Sequence, residues 1–289
     1  MSEPALWFQE LVRFYRELPR GLGGQSWVQT GVFFGFFFVV VWALERAYGT
    51  RTQNYLSRNF LHDLTYWSYE RSGLGYFLFL AVPIAALSTQ LAAFSPAPLS
   101  HLPFALKVVI FILLNDFLYY WMHRALHRFK FLWAFHSIHH SQERMTFVTG
   151  GRFHPIETFA TNFVVVIPAI LLGVNGVFTM ALLLVLTFQA EIEHSRIPWR
   201  FGPFGRILVS PVFHSYHHST EARYHDKHFG QTFAIWDHLF GTAIEPGTPP
   251  PTRFGVDDVK PVTFLDTLVT PFHLLHRYYG RHTRHEASR

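Results

Sequence analysis

The chain has 289 residues, of which 49% are hydrophobic, 32 are phenylalanine and only 15% are charged, a balance that excludes an ordinary soluble core and reads as a membrane protein. It contains no cysteine, which excludes disulfides, thiolate-held iron–sulfur clusters and Cys-ligated zinc, so any metal must be bound through nitrogen and oxygen. The net charge of +5 comes without the Lys/Arg stripe and interleaved stacking aromatics of a nucleic-acid surface, and basic residues beside apolar spans are explained more simply by membrane topology.

The first 20 residues, beginning MSEPALWFQELVRFYREL, are charged and amphipathic, unlike the short apolar core of a signal peptide. From Gly21 to Leu44 no residue is charged, and GVFFGFFFVVVWAL predicts a first spanning helix. The uncharged stretch Ser72 to Leu106 supplies a second, which the Pro-rich turn SPAPLSHLP ends. A third, roughly Phe104 to Met122, closes a transmembrane region spanning 21–122 and carries Lys107 and Asp116. A carboxylate facing lipid is expensive, so Asp116 is expected to face the protein interior or a polar site.

The fourth apolar block, Thr158 to Ala190, would be about 50 Å long as one helix, against a hydrocarbon core of about 30 Å. It should therefore fold back at Gly173-Val174-Asn175-Gly176, giving a hairpin within 158–190. Arginines and lysines crowd the connections 46–71 and 123–157 and are missing from 95–103, which puts the first two on the cytoplasmic side. Everything after Glu191 then returns to that side. The expected architecture is all-α: a bundle of four to five membrane segments in an inner or endoplasmic-reticulum-type membrane, under a cytoplasmic histidine-rich cap. The catalytic region is expected over 123–242 and a cytoplasmic tail over 243–289, with RYYGRHTRHEASR frayed at its end.

Three short boxes hold eight of the 19 histidines, and this topology places all of them on one side: HRALH at 123–127, HSIHH at 136–140 and HSYHH at 214–218. On a helix, His123 and His127 leave one face a turn apart, and the i, i+3, i+4 pattern of the other two boxes also shares a face. Crowded imidazoles repel when protonated, and a metal removes that cost by binding the neutral form. Eight ligands are too many for one ion, so a dimetal centre is the economical reading.

On these boxes, together with NDFLYYWMHRALH, FLWAFHSIHHSQE, RFHPIE, the EHS of Glu193 to Ser195 and the closing WDHLFGT, the segment from about Asn115 to Thr242 resembles the fatty acid hydroxylase superfamily, its sterol desaturase branch in particular. The resemblance implies a membrane-embedded non-haem diiron oxidase. Such an enzyme uses O2 and electrons from an external reductase to hydroxylate, or desaturate, a C–H bond of a lipid. Carried over by position, the implied ligands of two iron ions are His123, His127, His136, His139, His140, His214, His217 and His218, with His194 and His154 as further ligands; His154 is as well suited to a supporting role. Zinc is the expected alternative occupant in a recombinant sample.

Asp116, seven residues before His123, is placed to orient a ligand imidazole, the alternative being a pair with an arginine. Glu157 of HPIE and Asp237 of WDHLFGT are candidates for the same part, and Asp237 equally for a helix cap. His225 and His228 add a tempting H-x-x-H that departs from the family pattern, and His282-x-x-His285 lies in a polar tail. Glu191-x-x-His194 mimics half of the soluble diiron helix motif without its second copy. Acyl desaturase, alkane hydroxylase and carotenoid hydroxylase types remain as alternatives, as does a histidine-rich metal transporter.

Overall fold

The computed structural model describes residues 25–48, 52–71, 99–174, 176–245, 247–257, 259–260 and 263–280. The N-terminal amphipathic segment, the second expected span and the residues after 280 lie outside them. Every regular element among the described residues is helical, and the only extended pairing there is two isolated bridges, Leu208 to Phe233 and Ser219 to Phe254.

In chain order the helices are α1 Gln25–Ala47, α2 Arg58–Arg71, α3 Phe104–Arg128, α4 Lys130–His140, α5 Pro155–Leu172, α6 Gly176–His194, α7 Pro211–His217, α8 Ile235–Leu239 and α9 Phe264–Tyr279. A helical turn at Thr52–Tyr55 and 3₁₀ turns at Phe147–Gly151, Gly202–Arg206 and Ala222–Tyr224 connect them. By length and composition α3 and α5 are apolar enough to cross a membrane.

Local chemistry sets the breaks. The block from 158 to 190 parts where the sequence places the turn: α5 ends on Gly173, whose φ of 57° is the left-handed cap that glycine adopts without strain. α3 stops at Phe129, which turns extended (φ −104°, ψ 119°) for one residue before α4 begins. That single residue folds the second histidine box back beside the first. α7 starts on Ser210, whose side chain accepts from the Phe213 amide at 3.1 Å, with Pro211 in the first helical position.

α3 packs against α4 and α5, α6 against α7, and the turn Phe147–Gly151 is wedged between α2 and α6. Gly151 has to be glycine there, because a Cβ would lie 2.9 Å from the Trp67 Cα. Around the wedge, Val41, Phe60, Phe147 and Val148 form one apolar cluster, while Tyr66, Ala134, Ile138, Val259 and Leu274 form another that seats α9 on α4. The first residues of the expected frayed tail are helical instead: a Thr263–Asp266 capping pair starts α9, and Arg277, Tyr278 and Tyr279 belong to it, while 281–289 lie outside the described residues.

Gly173→Ala should cost about 1 kcal/mol, because alanine in the left-handed region meets its own Cβ penalty. Thermal unfolding in detergent should show the midpoint falling while the helical content stays the same.

Candidate metal centre

Two groups of imidazoles converge at the C-terminal ends of α3, α4, α6 and α7. His123, His127, His136, His140 and His217 present ring nitrogens all within 4.8 Å of one another, and His139, His194, His214 and His218 do the same. Each H-x-x-H-H box is divided between the groups. The first and last histidines of HSIHH join the five-membered group and its middle one the four-membered group; HSYHH is divided the opposite way. The groups adjoin, with the His140 and His218 rings stacked at 4.4 Å.

The proton positions decide what these nitrogens are. A carbonyl oxygen only accepts, so a ring nitrogen facing one carries the proton. Nδ1 of His123 donates to the Phe229 carbonyl at 3.0 Å, that of His139 to Arg152 at 3.3 Å, that of His194 to Ala190 at 2.5 Å and that of His217 to Lys227 at 2.8 Å. Nδ1 of His136 meets the Glu157 carboxylate at 2.5 Å. In a neutral ring Nε2 is then a bare lone pair.

Yet the Nε2 atoms of His123 and His136 are 3.1 Å apart, as are those of His139 and His194. Lone pairs so placed repel unless a cation lies between them. Two nitrogens bound about 2.1 Å from one metal at about 90° are about 3.0 Å apart, so the spacing and the tautomers both fit a metal in each group. Nε2 of His127 and of His217 are also buried with no partner. A neutral imidazole set suits iron, zinc, copper or nickel. Burial, reinforced by neighbouring imidazoles, holds His136, His139, His140, His214, His217 and His218 well below the ordinary histidine value, in the neutral form that ligates.

His154 stands outside both groups. Its Nδ1 accepts from the Ile156 amide at 3.1 Å, capping α5, so Nε2 carries the proton and donates to the Leu268 carbonyl at 3.3 Å. Among the described residues Asp116 orients no histidine and pairs with no arginine; it accepts from the Thr232 and Phe233 amides at 2.7 and 3.0 Å and from Trp236 Nε1 at 2.8 Å, pinning the WDHLFGT segment to α3. Asp237 acts one peptide away from a ring. It accepts from the Phe229 and Gly230 amides at 2.8 Å each, and so fixes the peptide whose carbonyl receives His123 Nδ1. Of the three carboxylates, Glu157 alone touches a histidine of the groups.

The sequence did not reveal the loop 227–229, which holds one ring from each of two boxes. Between its two acceptor carbonyls His228 serves as anchor, donating to the Phe213 carbonyl at 2.6 Å, accepting from the Ile244 amide at 2.8 Å and stacking on Phe213 at 3.5 Å. His225 is exposed. Asp63 and Arg152 were missed as well. The Arg152 guanidinium, fully buried, binds Asp63 at 2.5 Å and the Ile138 carbonyl at 3.1 Å, and so holds the Arg152 carbonyl under His139. Gln142 and Thr149 complete the Asp63 shell at 2.5 and 2.9 Å. A Cβ on Gly150 would lie 3.0 Å from His194 Nδ1, so only glycine lets that ring reach its carbonyl. Glu191 binds Trp67 Nε1 at 2.7 Å and Arg71 at 2.8 Å, away from either group.

Residues 108–242 match the sequence profile of the family described as fatty acid hydroxylase. The chain is 33% identical over 170 residues to an ornithine lipid hydroxylase of Rhizobium tropici, covering 59% of this chain and 51% of that one. It is 33% identical over 127 residues to the alkylglycerol monooxygenase of Homo sapiens, covering 44% and 28%. To a very-long-chain aldehyde decarbonylase of Oryza sativa subsp. indica it is 32% identical over 176 residues, covering 58% and 65%. The match thus spans less than two thirds of each of these relatives. No solved structure matches.

Metal analysis of purified variants should separate the groups: His139→Ala and His217→Ala should each lose the ion of one group and keep that of the other, whereas His154→Ala should keep both and lose about 1 kcal/mol of helix-cap stability. Acid should release the metal. The buried rings are neutral in the folded chain and titrate near 6.5 when unfolded, so the unfolded chain binds more protons below about pH 6.5. Stability is full above that pH and declines as pH falls below it, and a pH series of unfolding midpoints should show that direction.

Proposed function

We propose that this protein is a membrane-bound non-haem diiron oxygenase that hydroxylates a C–H bond of a lipid, a reading supported by the match of residues 108–242 to the fatty acid hydroxylase profile. The observation that carries the reading is the pair of adjoining imidazole groups whose bare Nε2 atoms face one another. The relatives named for inserting oxygen, an ornithine lipid hydroxylase and an alkylglycerol monooxygenase, support hydroxylation over desaturation. The overall balance is lipid C–H plus O2, two electrons and two protons giving lipid C–OH and water. The electrons come from an external reductase.

Two iron ions held by the two groups would supply the redox change that O2 activation requires and that imidazole alone cannot provide. The chain's own residues do the rest. Backbone carbonyls of Phe229, Lys227, Arg152 and Ala190 keep the protons of four rings on Nδ1, and Glu157 keeps that of His136 there, so all five rings present Nε2 inward. Phe153 stacks on His139 at 4.7 Å, Trp133 packs on His127 and His140 at 5.0 and 5.3 Å, and Phe229 lies against His123, walls that exclude water from the groups.

The catalytic region is 123–242, the chain crosses the membrane in four to five segments with α5 and α6 as a hairpin, and the histidine groups lie on the cytoplasmic side. Zinc occupies the same ligands in a recombinant sample without supporting turnover. Two closed groups, rather than ligands strung along a path, argue for an active site over a transporter.

The test supplies the protein in nanodiscs with iron, a reductase, isotopically labelled O2 and a membrane lipid extract. Labelled hydroxyl should appear in one lipid class, and His139→Ala and His217→Ala should each reduce it at least about 100-fold with protein level unchanged. Near-normal product from either variant would overturn the shared centre, and unlabelled product would remove O2 from the reaction.

A further inference from the structure

α9 has a face that neither the core nor the metal groups use. With 3.6 residues per turn its positions fall into three arcs. Thr267, Pro271 and Leu274 are buried against the body of the protein, with Phe264, Leu275 and Tyr278 beside them. Asp266, Thr270, His273 and Arg277 form a polar arc. Between these lie Leu265, Val269, Phe272 and Tyr279, apolar or aromatic and 50–71% exposed, with His276 among them. A helix at an ordinary protein–water boundary needs two faces; this one has a third, apolar and outward.

Its position tells what covers that face. The Leu268 carbonyl receives Nε2–H of His154, the residue that caps α5 at the start of a membrane-length helix. Phe272 meets Phe135 at 5.8 Å, and Phe135 meets Phe131 at 5.5 Å, three residues past the end of α3, the other membrane-length helix. Phe131 and Ile156 are themselves 52% and 45% exposed and adjoin the same surface. The outward face of α9 is thus continuous with the ends of both spans. Its C-terminal end is basic, with Arg277 followed in the sequence by Arg281 and Arg284.

We propose that α9 lies in the plane of the membrane surface, with Leu265, Val269, Phe272 and Tyr279 in the acyl boundary and the polar arc toward water. This rests on α3 and α5 spanning the bilayer. The occupant is lipid, and the consequence is mechanical: α9 packs on α4, which carries His136, His139 and His140, so its depth fixes the height of the metal groups above the bilayer.

The absence of cysteine makes the test direct. Single cysteines at Leu265, Val269, Phe272, Thr270 and His273, with Val109 on α3 as reference, are spin-labelled in nanodiscs, and collisions with O2 and with a water-soluble nickel chelate are compared. O2 should dominate at Leu265, Val269, Phe272 and Val109, and the chelate at Thr270 and His273. Dominance of the chelate on the apolar arc while Val109 stays with O2 would overturn the proposal alone; dominance at Val109 as well would overturn the spanning reading beneath it. Labels on the apolar arc that meet neither reagent would mean that protein covers the face, which also overturns it. Tryptophans at Leu265 and Val269, quenched by brominated lipid, repeat the measurement without the bulk of the label.

Discussion

The structure depends on where nine imidazoles keep their protons. A neutral histidine has one N–H, and a backbone carbonyl or carboxylate placed at Nδ1 commits that proton outward and leaves Nε2 bare. Rings of His123, His136, His139, His194 and His217 are committed in this way by five separate acceptors, two of them in the loop 227–229. Without a cation the result is a buried set of facing lone pairs; with one it is a ligand shell assembled in advance.

Much of the surrounding fold serves those acceptors. Loop 227–229 is held by Asp237 and by His228, and Asp116 ties the next stretch to α3, so the WDHLFGT segment supports the metal groups from behind rather than lining them. On the opposite side the Asp63–Arg152 pair is buried, a costly arrangement made tolerable because Gln142, Thr149 and the Ile138 carbonyl satisfy it. Its guanidinium links α2, α4 and the turn at Phe147–Gly151, and the same residue's carbonyl meets His139. Asp63 lies outside the matched segment 108–242, so part of the support of the histidine groups comes from beyond that segment.

The division of each H-x-x-H-H box follows from helix geometry. Residues i and i+4 lie about 40° apart around a helix and i+3 about 60° to the other side of i, so one box spans an arc wide enough to address two neighbouring points. With α4 and α7 facing each other, the crossed assignment gives each group ligands from both helices. α3 then adds His123 and His127 to one group, and α6 adds His194 to the other.

The sequence by itself determined the helical class, the break at Gly173 and the chemistry of the boxes, because hydropathy, glycine and i, i+4 spacing are local properties, whereas the continuation of α3 through the first box came from the structure. It singled out His123, His127, His136, His139, His140, His194, His214, His217 and His218, all of which the fold draws into two groups. Only the tertiary structure decided which ring joins which group, that His154 caps a helix, that Asp116 and Asp237 hold backbone and that α9 is ordered on α4. Several of these depend on partners far away in the chain, as with Thr232 for Asp116 and the Leu268 carbonyl that fixes the proton of His154. Spacing along the chain carries no information about such partners, since a hydrogen bond is set by where two backbones meet in space.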